Sequence, residues 1–450
     1  MDRLSETRRR PGRSDTTIGV PRNPLPPRLL PVLYIAIAHI ALTFAFAAVA
    51  WDPAAVAGFF YHPRMLAVVH LVTLGWITAS ILGTLYIVSP VALRMTLPAT
   101  WVDYTAFLLV TIGVIGMVGH FWIAEYRGMP WSGATVAAGV LVVALRVAGP
   151  LRRAPIPVAV RWHIALAFLN IALAATMGVV LGQNRVRPVL PGYVLDHVVA
   201  HAHLAAVGWA SLMVVGVGYR LLPMVLPAEM PGGSRLFFTA VCLEIGAVGL
   251  FLSLFLHLGQ GWVFALLIVA GFGAFLSNVA WMLRHPRPRP PAVRTPDPAV
   301  LHAAAAFASL VLSCALGLWL TVAPASATTN RAAMAYGVLG LVGFLAQMIV
   351  GMEGRVLPIF AWYWAFENSQ GREPVPSPHE MPWRAAQLLG FVLWLVGVPA
   401  LAAGLAFDGL SIVRSGATAL LAAALLDSAQ VTVILRHAYR HTRSAAGPLR

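Results

Sequence analysis

The chain has 450 residues, 59% of them hydrophobic and only 10% charged, less than half the roughly 25% charged share of a soluble domain. That composition excludes a soluble enzyme, a disordered tail protein and a nucleic-acid binder. The net charge of +15 comes from 31 basic and 16 acidic residues, and every basic residue is Arg, which in so apolar a chain reads as loop charge on a polytopic membrane protein.

Residues 1–29 form an Arg- and Pro-rich tail, expected to be disordered and cytoplasmic. A hydrocarbon core of roughly 30 Å needs about 20 apolar residues per helix. Twelve segments qualify in chain order: about 30–51, 64–90, 101–123, 132–150, 160–182, 193–222, 234–258, 261–283, 300–323, 333–360, 383–406 and 412–436. The first has signal-peptide flanks, Arg8-Arg9-Arg10 before it and Ala48-Val49-Ala50 at its end, but its run exceeds the ~7–15 apolar residues of an h-region. The expected fold is all-α, with about 12 transmembrane helices in three pseudo-repeats of four. Unit 1 covers 30–150, unit 2 covers 151–283 and unit 3 covers 300–440. A Pro-rich cytoplasmic linker spans 284–299 and a short tail 441–450.

With the N-terminus placed in the cytoplasm, 25 of the 31 Arg fall on the inner side and 6 on the outer. The positive-inside rule then puts both termini in the cytoplasm, in a bacterial-type inner membrane. Cys242 and Cys314 lie inside apolar runs, so no disulfide framework is implied.

The repeat is read from the second span of each unit. His70-Leu71 continues VTLGWITASILGTLYIVSP, and His203-Leu204 continues AAVGWASLMVVGVGYRLLP. Both keep Gly-Trp, a later Gly, Tyr and Pro at the same spacing. The tenth span keeps Gly343, Phe344, Gly351 and Pro358, with Val338 at the His position. In the preceding helices His39, His163 and His302 each have Phe five residues on, which suggests one repeated contact. The glycines have a structural use, since small residues let membrane helices approach closely.

Ionisable side chains inside a bilayer are costly and point to function. His70 lies about 9 Å into an inward-running helix. His197, His201 and His203 lie in the outer half of the sixth span. His120 and His257 lie near the outer ends of the third and seventh. His201 and His203 are about 200° apart on their helix, so one helix presents imidazoles to two separate places. Neutral imidazole suits haem iron and copper, and two His from different helices can hold one haem from both faces. His70, His203 and His201 are the candidate cofactor ligands. His197, His120 and His257 are candidates for a further metal site, or are satisfied by hydrogen bonds. Glu244 and Glu353 are candidates for a proton path, with snorkelling and pairing to Arg as the other reading of Glu353. Trp51, Trp101, Trp122 and Trp131 fit an interfacial belt.

Twelve helices in three units, with VVAHAHLAAVGWASLMVVGVGYRLLPMVL in the sixth, resemble the haem-copper oxidase catalytic subunit, most nearly its cbb3-type and nitric oxide reductase branch. The sharp motif covers about thirty residues. The resemblance implies haem b, with His201 matching the high-spin ligand and His203 and His70 the low-spin pair. It also implies copper or a second metal, an electron-donor protein or quinol, and room for a partner subunit. The function implied is electron transfer, or binding and reduction of a diatomic gas such as nitric oxide or oxygen. The chain departs from the family in placing His-x-His on the sixth span rather than the tenth. It also lacks any adjacent His-His pair for copper. The NnrS family resembles it in architecture and His richness. The alternative from another class is a non-enzymatic transporter or copper carrier using the His cluster near the outer face. A third is a structural or assembly subunit. No CxxCH occurs, so no covalent c-type haem is expected.

Overall fold

A computed structural model describes residues 25–366 and 377–445, with side chains to 439. The expectation for residues 1–24 and 446–450 lies outside the described residues. Among those described, twelve helices are long and apolar enough to cross a membrane. They are α1 (Leu29–Trp51), α2 (Pro63–Val91), α3 (Trp101–Ile123), α4 (Met129–Arg153), α5 (Val158–Val186) and α6 (Val194–Val225). Then come α7 (Ser234–Phe255), α8 (Gly261–Arg284), α9 (Pro298–Val322), α10 (Ala327–Phe366), α11 (Arg384–Ala406) and α12 (Leu410–Tyr439). The protein is an all-α polytopic membrane protein. Exposed Phe44, Ile112, Ile115 and Leu145 present apolar surface to lipid, and exposed Trp51, Trp101 and Trp131 sit at helix ends. The helix of α12 continues to Ala445, beyond the span.

α2, α6 and α10 are the most buried helices, and they touch one another at the centre. The hairpins α3–α4, α7–α8 and α11–α12 form the outer layer. α4 packs on α5, α8 on α9 and α12 on α1, which closes a ring. Each hairpin is zipped by small residues. A Cβ at Gly113 would lie 2.8 Å from Ser132 O, and one at Gly416 would lie 2.5 Å from Leu401 N.

Each central helix switches from α to π geometry over one stretch: Leu71–Thr78 in α2, Leu204–Ser211 in α6 and Val338–Ala346 in α10. Two of these begin directly after His70 and His203. A π segment is rare and concentrates at functional sites. The motif glycines sit where these helices meet their neighbours. A Cβ at Gly75 would be 2.5 Å from Ala41 Cβ, and one at Gly208 would be 2.8 Å from Asn170 Cγ. One at Gly343 would be 2.7 Å from Ser309 Oγ.

The second motif glycine corrects the register of the preceding helices. Gly83 faces Tyr34, whereas Gly216 faces His163 and Gly351 faces His302. Tyr34, not His39, is therefore the spatial counterpart of His163 and His302. His39 instead matches Phe168, since each ring packs on the motif Trp: His39 on Trp76 at 5.1 Å and Phe168 on Trp209 at 5.3 Å. The His-to-Phe spacing recurs in α1 five residues late, so identical letters face different neighbours.

The motif tyrosines pin the central helices to the hairpins. Tyr86 Oη–H donates to Asp103 Oδ1 at 2.8 Å, and Arg146 Nε–H donates to the same oxygen at 3.1 Å. Asp103 Oδ2 accepts from Thr100 N and Oγ1 in the N-terminal capping box of α3. Tyr219 Oη–H donates to Thr239 and accepts from Asn278 Nδ2 at 2.9 Å. The linker 284–299 is tied down as well. Glu229 N–H donates to His285 O, Arg287 N–H to Pro227 O, and the Arg384 guanidinium to Pro296 O.

Candidate functional site

Three of the candidate imidazoles share one orientation. His70 Nδ1–H donates to Leu66 O at 2.7 Å, His203 Nδ1–H to Val199 O at 2.8 Å and His201 Nδ1–H to Ala174 O at 3.0 Å. The first two bonds are to the carbonyl one helical turn back. A proton fixed on Nδ1 leaves the Nε2 lone pair as the outward-facing donor, which is how a ligating histidine is set up.

The three differ at Nε2. His203 Nε2 accepts from Tyr336 Oη–H at 3.0 Å, with the two rings stacked 5.8 Å apart. Nε2 of His70 and of His201 has no hydrogen-bond partner among the described residues. These two residues are electrostatic neighbours of each other. His70 is braced on its far side by Phe121, stacked at 5.1 Å. His201 lies over Gly178, where a Cβ would be 3.1 Å from its Cε1. So α6 directs His201 toward α5 and His70, and His203 toward α10, as their angular separation predicts. His203 Nε2 is thus taken up by Tyr336, while His70 and His201 keep Nε2 unpartnered among the described residues.

His70, His201, His203 and Tyr336 are each partly buried. The Nε2 atoms of the three histidines are unpartnered or, at His203, held only by a neutral hydroxyl.

The second candidate set does not assemble. His197 and His257 are adjacent, with ring centroids 5.6 Å apart, and Asp196 accepts from His257 Nδ1–H at 3.1 Å. His197 is buried, with Nε2–H donating to Pro191 O and Nδ1 unpartnered. His120 is elsewhere: its Nδ1–H donates to Glu125 O across the α3–α4 turn, and its ring covers Gly128. His197, His120 and His257 therefore do not form one site. Among the described residues no group of three or more His, Cys, Asp or Glu could hold a metal ion.

Glu244 and Glu353 also separate. Glu244 Oε2 accepts from Asn170 Nδ2 at 2.6 Å, beside the α6 π segment. Glu353 Oε2 meets His39 Nε2 at 3.3 Å on the other side of the ring. Tyr336, Asn170 and Asp427 are polar members of these sites that sequence reasoning passed over. Asp427 had a readable signal, as the sole acidic residue of its span.

At the face where α1 begins, Arg355 pairs with Asp297, and Arg355 Nη1–H donates to His379 Nδ1 at 2.8 Å. Only neutral His379 can accept that bond. Burial first, and then the Arg355 charge, hold His379 below the ordinary histidine range, against an opposing pull from Asp297. With the folded value depressed, its contribution to stability is complete above the ordinary histidine range. It is lost as pH falls through the lowered value. We expect amide exchange over residues 377–383, corrected for intrinsic rates, to quicken between about pH 7 and 5. His379→Asn should remove that pH dependence, and its persistence in the variant would assign it elsewhere.

No protein-family model matches the chain, and comparison with curated proteins returns no match.

Proposed function

We propose that the chain is a haem-binding membrane protein, with a b-type haem held at Nε2 by His70 from α2 and His201 from α6. The observation that carries this is the shared preparation of the two imidazoles. Each has its Nδ1 proton spent on a backbone carbonyl and its Nε2 lone pair unpartnered. The donor set fits iron in a porphyrin, which needs two neutral nitrogens from opposite sides and no third ligand from the protein. Bound there, haem supplies a reversible one-electron couple, which suits electron transfer between a quinol or donor protein and a partner. The Arg distribution supports an inner-membrane location with both termini cytoplasmic.

A second reading concerns His203. Tyr336 Oη occupies its Nε2 through a single neutral hydrogen bond, which a ligand can displace. That favours diatomic-gas binding on the α10 side of α6. Spectra of the dithionite-reduced protein with and without carbon monoxide separate the two. A Soret band unmoved by carbon monoxide means haem closed by His70 and His201. A shifted band that Tyr336→Phe alters means haem on His203. The absence of any Soret band rejects both.

A further inference from the structure

A second polar cavity lies between α1, α9, α10, α11 and α12, in the half of the bundle nearer the face where α1 begins. It has a volume of about 40 Å³ and is lined by His39, His302, Glu353, Gln387, Asp427 and Gln430. Four ionisable side chains from four helices meet in it. His39, His302 and Glu353 are each under 9% exposed. Two of them aim unpartnered atoms inward: Glu353 Oε1 and His302 Nδ1 have no hydrogen-bond partner. Asp427 is within electrostatic reach of both His39 and Glu353, and its Oδ2 accepts from Trp394 Nε1–H at 3.1 Å. Unsatisfied donors and acceptors around a space this large call for water, and the volume admits at least one molecule.

The hydrogen bonds fix how many protons the cluster holds at His39. Ser428 Oγ–H is spent on Ala424 O at 2.7 Å. Ser428 Oγ can therefore only accept at its 3.0 Å contact with His39 Nδ1, so Nδ1 carries a proton. The 3.3 Å contact between His39 Nε2 and Glu353 Oε2 then needs one proton of its own. It resides on the carboxyl, with Nε2 accepting, or on Nε2, with the carboxylate accepting. Removing it would set a lone pair against a carboxylate in a poorly solvated place, with Asp427 adding a second negative charge. The lining reaches the start of α9, toward the nearer face. Pro298 and Ala299, which follow Asp297, line the cavity. Arg355, two residues after Glu353, pairs with Asp297 and His379 beside that lining.

We propose that this cluster is a hydrated proton-holding site, in which His39 and Glu353 share one transferable proton exchanged with water past Arg355. The step is proton transfer alone: a water-borne proton adds to the Glu353 carboxylate or His39 Nε2, and no electron moves. The site goes beyond the haem reading and does not rest on it, since its residues are different and its test reads no haem signal.

The test is infrared difference spectroscopy of the full chain in lipid during pH titration, in H₂O and D₂O. The expected result is a protonated-carboxyl C=O band, or an imidazolium ring band where the proton rests on His39, that follows pH and shifts in D₂O. Glu353→Gln should remove it. Asp427→Asn, which takes away the second negative charge, should move its midpoint by about tenfold in proton concentration. A wild-type protein with neither a titrating carboxyl band nor a titrating imidazolium band overturns the proposal, as does a titration that survives Glu353→Gln in an Asp427→Asn background. A midpoint set by sodium concentration overturns it too, and makes the cavity a cation site.

Discussion

His70→Ala and His201→Ala proteins are expected to purify with at least about tenfold less haem than the wild type, each change alone being sufficient. The same change at His203 should leave most of it. The reason is geometric. An axial imidazole provides both a bond to iron and half of the slot, and even a lost second-shell partner costs about 10–100-fold in metal affinity. Neither His70 nor His201 has a protein partner at Nε2 to lose, so alanine leaves no buried polar group stranded. The helices keep their backbone bonds. Loss of haem should therefore occur in folded protein, with unchanged helical content and detergent-stable size. His203→Ala acts on the other side of α6, where it removes a single bond to Tyr336. If instead His203→Ala empties the protein and His201→Ala does not, the pairing is His70 with His203, as the family resemblance implies.

The largest expected loss of stability comes from Asp103→Ala, at about 3–5 kcal/mol. Asp103 is 0% exposed. It is the common acceptor for Tyr86 of α2, Arg146 of α4 and the capping box of α3. Alanine strands a buried phenol, takes one partner from Arg146, which keeps Pro98 O, and opens the N-terminus of α3. Asp103→Asn keeps an acceptor but not the charge, so it should recover part of the loss. Unfolding in mild detergent at increasing denaturant measures both. Wild-type stability in Asp103→Ala would mean that the three helices are held by packing alone.

Most of the fold was legible because the bilayer imposes length and apolarity on each span. The twelve apolar runs correspond to twelve helices in the structure, and Gly-Trp in the second and sixth spans marks two of the central ones. What escaped was rotation and register. The letters HIALTF and HIALAF look equivalent, yet Tyr34 occupies the place of His163, because a helix reads contacts rather than characters. The π segments left no compositional trace, since LVTLGWIT and LAAVGWAS would serve equally well in an α-helix. For the site, the 200° separation of His201 and His203 was readable. That His201 meets α5 and His203 meets Tyr336 was not, because it depends on how α6 is turned against its neighbours. The His39–Glu353 contact joins residues 314 apart, a distance no local pattern spans. Asp427 was the missed clue there.

Haem content per chain tests the account most directly. The chain would be expressed with haem precursor supplied, purified in mild detergent and assayed as the pyridine haemochrome against protein concentration. Noncovalent b-type haem is expected at no less than about one per chain, nearly absent from the His70→Ala/His201→Ala double variant. Folded wild-type protein without haem, or a double variant that keeps it, would contradict the account.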